Sequence, residues 1–255
     1  MVEVQKPVYG VEGVKDSVLD KFYTILLNGK RYFGSAGASL THHANNPEYN
    51  SAFKAKLVTS GLDGERSTSK MLRKWAADKE NVIVLDSVHI RGMGKEEIDE
   101  DGNIEGGDTD HIVVMGNTIV LVDTKRWKST RKYSFNAKGE ILRSNRSFPG
   151  GRVHAKQAMY LWKKYLMDGV TVKSFVCINA DKVFVQMDAN WKKQAFRLIV
   201  KDQLLKNLDY VYEHAKEEDR NIINTSLVAQ IAVCCLKPFD PYSRVFDMDK
   251  ISKIK

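Results

Sequence analysis

Two aspartates and a lysine at the ends of two apolar segments are the residues of this sequence best suited to chemistry. Asp110 stands just before the apolar run 112–115, and Asp123 directly follows the apolar run 118–122. Lys125 lies two residues beyond Asp123, so in a strand it projects from the same face. Carboxylates bind Mg²⁺, and a nearby ammonium can orient the attacking water or stabilise a transition state. The set therefore predicts metal-assisted hydrolysis of a phosphodiester.

A two-residue turn at Gly116-Asn117 would join the two runs into a hairpin and fix their register. Glycine supplies the positive φ that the first position of a type II′ turn needs. Continued along the strands, that register places Asp110 opposite Asp123, with Cβ atoms about 4.5–5.5 Å apart. Like charges so placed are destabilising unless a bound divalent cation compensates them. The alternative is that both aspartates only end their strands and face solvent.

Both faces of both strands are otherwise apolar, which predicts central strands covered on either side. Helices are further predicted at 18–30, at 63–79 with Asp63 as N-cap, at 152–166 and twice within 190–236; strands are predicted at 81–90, 171–179 and 181–187, with a hairpin turning near 137–139. Strands interleaved with helices predict an α/β protein with a central mixed β-sheet flanked by helices. The expected organisation is an N-terminal extension (1–60), a core (61–189) and a C-terminal helical region (190–255).

The charge of the chain predicts a polyanionic partner. The 255 residues are 43% apolar and 28% charged, with a formal net charge of +8. Nucleic acid is the commonest partner of such a chain, and a solubilising surface is the alternative. Residues 125–134 hold five Lys or Arg, of which four are expected to hold the phosphate backbone unless the segment is a solvated loop: Arg126, Lys128, Arg131 and Lys132.

Several other classes of protein are disfavoured. The three cysteines form no C-x-x-C pair, which argues against a structural zinc site and fits a reducing cytoplasm. The longest apolar stretch, 227–236, is too short to span a bilayer, so no membrane partner is expected. His42, His43 and the acids of 91–107 could bind metal but are interpreted as solvated loop residues. His111 points away from the aspartates and is interpreted as a packing residue or as a residue that supports the site from behind.

Three motifs that follow one another along the chain resemble the core of the PD-(D/E)XK nuclease superfamily. Within that superfamily, they most resemble the nuclease-related domain (NERD) type. That type has a G-x-x-G-E helix start, then a D-H-hydrophobic strand, then an (E/D)-x-K strand. Here residues 61–65 read GLDGE, 110–114 read DHIVV and 123–125 read DTK. The matched region covers about 61–166, and the strands predicted within 172–187 would complete the fold.

The resemblance implies a Mg²⁺- or Mn²⁺-dependent nuclease, with DNA favoured over RNA as the substrate and RNA left open. Asp110 and Asp123 would bind the metal, Glu65 would assist, and Lys125 would act on the water or the transition state. Gln157 is similar to a glutamine that many such nucleases carry on the helix after the site. Glu65 has the alternative role of stabilising the start of its helix, and Gln157 that of a surface residue.

One feature departs from the family pattern, since NERD sequences more often have Glu at the position of Asp123. The rival hypothesis is a catalytically weak or inactive nuclease-fold protein that binds nucleic acid or serves as an assembly module. The regions 1–60 and 190–255 lie outside the resemblance and would be available for such contacts.

Overall fold

A six-stranded mixed β-sheet forms the centre of the computed structural model, which describes residues 2–38, 40, 52–90, 108–127, 130–148 and 155–235. The strands are β1 (Glu3–Val4), β2 (Tyr32–Gly34), β3 (Val82–His89), β4 (Asp108–Met115), β5 (Thr118–Lys125), β6 (Lys132–Phe135), β7 (Ile141–Arg143), β8 (Thr171–Ile178), β9 (Phe184–Val185), β10 (Arg197–Val200) and β11 (Ile222–Ile223). The helices are α1 (Asp16–Leu27), α2 (Ala52–Ala76), α3 (Ala155–Tyr165), α4 (Ala189–Lys193), α5 (Lys201–Glu213), α6 (Glu217–Arg220) and α7 (Thr225–Ala232). The predicted fold class, an α/β protein with a central mixed sheet flanked by helices, is confirmed.

The central sheet has the strand order β10-β8-β5-β4-β3-β2. Strands β3, β4 and β5 are antiparallel neighbours, whereas β8 and β10 continue the sheet in parallel from β5, and β2 pairs in parallel with β3. Each connection between parallel neighbours contains a helix: α2 lies between β2 and β3, α3 between β5 and β8, and α4 between β8 and β10. The strands β4 and β5 therefore lie inside the sheet, as their apolar composition predicts.

Helices cover both faces of the sheet because residues of β4 and β5 alternate between two apolar cores. One core joins Ile112 and Leu121 to residues of α1, α3 and α7. The other joins Val113 and Val122 to residues of α2 and α5. This alternation is the period-two pattern of a strand buried on both sides.

Two small sheets stand beside the central one. In the first, β6 pairs with β7 and β9, so the predicted hairpin near 137–139 is confirmed, while the strand predicted at 181–187 is shortened to Phe184–Val185. In the second, β1 runs parallel to β11. Among the helices that the structure describes, none is long and apolar enough to cross a membrane.

The two helices predicted within 190–236 are present as α5 and α7, on either side of the charged segment 216–220, but the prediction is incomplete. The region also contains the short helices α4 and α6 and the strands β10 and β11. Leu198 and Ile199 are buried beside β8, because a free sheet edge recruits an apolar, β-branched segment that is too short to be recognised from its period. Strands from 1–60 and from 190–255 thus join the same sheet as the middle of the chain.

Candidate active site

The hairpin of β4 and β5 positions the two aspartates. Its pairs run from Met115 opposite Thr118 to His111 opposite Val122, which confirms the predicted register. Gly116 has φ +58°, as the first position of a II′ turn needs. The pairing ends at His111 and Val122, and one further step of the same register would set Asp110 opposite Asp123. The charge of Asp123 raises the pKa of Asp110, which places the two carboxyls near each other.

Hydrogen bonds at the ends of these strands tie the aspartates to β5. The Thr124 backbone N–H donates to Asp110 Oδ2 at 2.6 Å. Lys125 Nζ donates to Asp123 Oδ1 at 2.7 Å, and both side chains of this ion pair are partly exposed. Asp110 and Asp123 each keep a second carboxylate oxygen that can bind a cation.

The third carboxylate, Glu65, lies at the middle of α2, where the helix packs against the end of β5. A Cβ added at Gly64 would lie 3.4 Å from Arg126 Cβ and 3.5 Å from Thr124 Cγ2, which is ordinary van der Waals contact, so the helix and the strand end are directly packed here. Asn179, just after β8, donates to the Gly64 carbonyl at 3.0 Å and to Thr68 Oγ1 at 2.8 Å. These contacts fix Glu65 against the strand ends.

The motif at 61–65 lies inside a helix and does not begin one, so the prediction that Asp63 is an N-cap is wrong. The helix α2 begins at Ala52, and Asp63 instead pairs with Arg126 at 3.1 Å. Glycine destabilises the interior of a helix and is commoner near a helix end, but Gly61 and Gly64 lie in the middle of α2, where the helix packs against its neighbours. A Cβ at Gly61 would lie 2.7 Å from Leu40 Cδ1.

Burial and crowded negative charge change the acidity of two carboxyls. Burial, the Asp110 charge and the Asp123 charge raise the pKa of Glu65 to about 9, although Lys125 and a hydrogen bond from the Gly37 backbone oppose the shift. Burial and Asp123 raise the pKa of Asp110 to about 7. Burial lowers the pKa of Lys125, but the surrounding carboxylates outweigh it and raise that pKa above its ordinary value. Lys125 is therefore a permanent ammonium.

The carboxylates do not form a ready metal cage. Within the described ranges, no three His, Cys, Asp or Glu side chains stand close enough together to hold a metal ion. The donor set nevertheless fits a hard cation, because it consists of carboxylate oxygens. Glu65 is 4% exposed, and its Oε2 has no hydrogen-bond partner among the residues that the structure describes. A buried unpartnered oxygen beside two other carboxylates is an arrangement that a cation relieves.

A second buried acid beside the site was missed in the sequence. Asp86 on β3 is fully buried, accepts from Ser69 Oγ at 2.7 Å and from the Arg73 guanidinium, and pairs with His111 Nδ1 at 2.7 Å. His111 thus points to the α2 side of the sheet and is buried, as predicted. An acid inside the apolar strand 82–89 was the sequence signal that indicated such a network.

Of the four residues predicted to contact nucleic acid, the structure describes three, and these lie in two places. Arg126 is exposed at the site, and Arg131 and Lys132 are exposed at the start of the small sheet. Lys128 lies outside the described residues, as do His42, His43 and 91–107. Gln157 lies on α3, and its side chain is likewise outside the description. The roles of these residues stay predictions.

Residues 60–179 match the model of the nuclease-related domain (NERD) family. The match begins within α2, covers the hairpin of β4 and β5, and ends at Asn179. No curated protein and no solved structure matches the chain. The resemblance drawn from the three sequence motifs is confirmed.

Proposed function

We propose that this chain, whose residues 60–179 form a nuclease-related domain, is a metal-dependent nuclease that hydrolyses the phosphodiester bonds of DNA. The observation that carries the proposal is the buried, unpartnered carboxylate oxygen of Glu65 beside Asp110, Asp123 and Lys125. Buried acids with raised pKa values in a group of charged residues are typical of functional sites.

Asp110 and Asp123 would hold the cation, with Glu65 as a third carboxylate or as the acceptor for one of its waters. When bound, Mg²⁺ or Mn²⁺ acidifies a water and neutralises charge on the phosphate. Both aspartates sit on buried neighbouring strands, so their positions are set by the sheet before any ligand arrives. Gln157, on the helix α3, is proposed to assist at the same site.

Lys125 supplies positive charge, not a base. Because its pKa is raised above the ordinary value, the amine keeps its proton at neutral pH. It can orient a water by donating a hydrogen bond, and it can stabilise negative charge that develops on the phosphate. Arg126, Lys128, Arg131 and Lys132 would hold the backbone of the substrate.

Two substitutions separate metal binding from catalysis. Asp123→Asn removes a ligand charge, so Mn²⁺ binding measured by calorimetry should weaken and cleavage of DNA should fall with it. Lys125→Ala leaves the carboxylates in place, so Mn²⁺ binding should be retained while cleavage falls on the order of 10²–10³-fold. Labelled RNA is assayed beside DNA, because cleavage of RNA alone would reassign the substrate.

The controls are Glu218→Gln and Lys216→Ala, an acid and a lysine two residues apart in an exposed ion pair at 3.5 Å. Both should behave as wild type. If Asp123→Asn and Lys125→Ala cleave as the controls do, the nuclease proposal is wrong.

A second candidate is a nuclease-fold protein that binds nucleic acid or assembles with partners without turnover. It is favoured by the lack of a ready three-ligand metal group within the described residues, and by Lys125 occupying one oxygen of Asp123. Binding of DNA without metal-stimulated cleavage would select this function.

A further inference from the structure

A cavity lined by three arginines lies beside the small sheet of β6, β7 and β9. Its volume is about 530 Å³, and its lining consists of Arg131, Arg143, Ser144, Arg146 and Ser147. No acidic residue is among the described residues that line it. The arginine side chains of this lining supply positive charge and hydrogen-bond donors, and the serine hydroxyls are the only side-chain acceptors among the lining residues. Phosphate is the group that such a lining fits best.

A tight turn after β7 brings two of the arginines together. Ser144 and Asn145 have φ values of 51° and 63°, and both are left-handed as a two-residue I′ turn requires. The Arg143 N–H donates to the Arg146 carbonyl at 2.8 Å, and the Arg146 N–H donates back at 3.2 Å. Two residues that exchange both backbone hydrogen bonds in this way are cross-strand partners, and their side chains lie on the same side of the hairpin. Like charges at such a pair are destabilising unless an anion compensates them.

The side chain of Arg143 is held in place by aromatic residues. Its guanidinium lies 4.8 Å from the centre of the Phe148 ring and donates to the hydroxyl of the buried Tyr133. Tyr133 stacks on Trp127 with ring centres 5.1 Å apart. A planar fork that is already oriented loses less freedom when it binds an oxyanion.

The same aromatic contact links the cavity to the candidate active site. Trp127 is two residues beyond Lys125, so the chain runs directly from the ammonium of the site to the ring that packs against Tyr133. A nucleic-acid strand with one phosphodiester at the carboxylates carries further phosphates at regular intervals. One of them can occupy the arginine cavity while another lies at the site.

We infer that the cavity of Arg131, Arg143 and Arg146 is a phosphate-binding subsite for the nucleic-acid substrate, distinct from the carboxylate site. The inference rests on the proposed function for the identity of the ligand. It assigns roles to Arg143 and Arg146, which lie outside the basic run at 125–134. The phosphate is either one of the backbone or the terminal one of a strand, and the chemistry of recognition is the same for both.

The test is binding of a labelled DNA duplex by fluorescence anisotropy in EDTA, at several salt concentrations, with 5′-hydroxyl or 5′-phosphate ends. Arg131→Ala/Arg146→Ala removes two exposed side chains and should preserve the fold. We expect its Kd to rise roughly tenfold and the slope of log K against log salt to fall by about one to two units. The matched control, Lys206→Ala/Lys216→Ala, removes two exposed charges from α5 and the segment that follows it and should change both quantities much less.

Arg143→Lys keeps the charge but loses the planar fork, so its affinity should lie between wild type and the double variant. Equal losses on both duplexes identify a backbone phosphate, and a loss confined to the 5′-phosphate duplex identifies a terminal one. The inference is overturned if wild type binds no nucleic acid, or if the arginine variants match the lysine control. Because the binding assay contains EDTA and no metal, weaker binding by the arginine variants supports the subsite even if the wild-type protein does not cleave DNA.

Discussion

Two buried acids at the interface of α2 with the sheet, Asp86 and Glu65, differ in how their charge is compensated. Asp86 accepts from Ser69 and Arg73 on α2 and contacts His111 on β4. Burial raises its pKa, but His111 and Arg73 outweigh burial and lower the pKa below its ordinary value. Glu65, on the same helix one turn before Ser69, has an oxygen without a partner in the described part of the chain, and its pKa is raised to about 9.

The difference separates an acid that serves the fold from one that serves a ligand. A buried charge that is fully hydrogen-bonded strengthens the packing of α2 on the sheet. A buried carboxyl left unsatisfied destabilises the protein by itself and is retained where a ligand completes it. Burial alone does not distinguish the two acids, since both are nearly or fully inaccessible; their partners do.

The largest expected effect is on stability. Asp86→Asn leaves Arg73 and His111 without their shared anion and should lower the free energy of unfolding by about 3 kcal/mol. With its pKa raised to about 9, Glu65 is protonated at neutral pH, so Glu65→Gln replaces one neutral group by another of the same shape and should change the free energy of unfolding by less than about 1 kcal/mol. Urea denaturation in EDTA measures both, with the surface change Glu218→Gln as control. Equal losses for Asp86→Asn and Glu65→Gln would remove the distinction between the two acids.

The pH dependence of stability should show opposite signs for the two acids. The lowered pKa of Asp86 contributes stability that is present above its unfolded value of about 3.9 and is lost as pH falls through the folded pKa. The raised pKa values of Glu65 (about 9) and Asp110 (about 7) contribute stability that is present below about pH 4 and is lost as pH rises to 9.

Denaturation of the metal-free protein over a pH series tests these signs. Glu65→Gln should flatten the decline between about pH 4 and 9, and Asp86→Asn should flatten the loss in acid. Metal should reverse the alkaline decline, because it binds the ionised carboxylates. A wild-type slope in Glu65→Gln would mean that Glu65 is ionised in the free protein.

The smallest expected effect on stability comes from Gly64→Ala. The added methyl group would lie 3.4 Å from Arg126 Cβ and 3.5 Å from Thr124 Cγ2, which are ordinary van der Waals distances, so α2 need not shift. The gain in helix propensity should raise the free energy of unfolding by up to about 1 kcal/mol. Cleavage should be unchanged, because Glu65 keeps its position. Ser67→Ala, an exposed position on α2, is the control; a loss of activity in Gly64→Ala alone would show that the added methyl group displaces the helix.

The sequence predicted the parts of the site that depend on local rules. A two-residue turn with glycine first sets the register of β4 and β5. Alternation continued beyond the last pair predicts Asp110, Asp123 and Lys125 on one side. The family motifs added Glu65, which no periodicity would have connected with the strands. The fold class followed from the interleaving of strands and helices.

Contacts between residues that are distant in the sequence could not be predicted from these local rules. The start of α2 was placed eleven residues late because Gly61 and Gly64 resemble a helix boundary until their neighbours Leu40 and Arg126 are known. The network of Asp86 joins residues from α2, β3 and β4, so only the folded arrangement reveals which acid is satisfied. The cavity beside β7 likewise depends on a turn whose two left-handed residues, Ser144 and Asn145, are not glycines.

The Gly116-Asn117 turn, which sets the register of β4 and β5, also has a consequence for the order of folding. The hairpin pairs residues close in sequence, so it can form early. The turn itself, however, is held by Asp219, whose carboxylate accepts a hydrogen bond from the Asn117 side chain at 2.9 Å, and these residues are 102 positions apart in the sequence. The pairing of β1 with β11 joins residues that are still further apart in the sequence. Contacts between such distant residues require closure of long loops and slow the final stage of folding. We therefore expect the strands of the site to gain protection from hydrogen exchange before the turn that connects them is fixed.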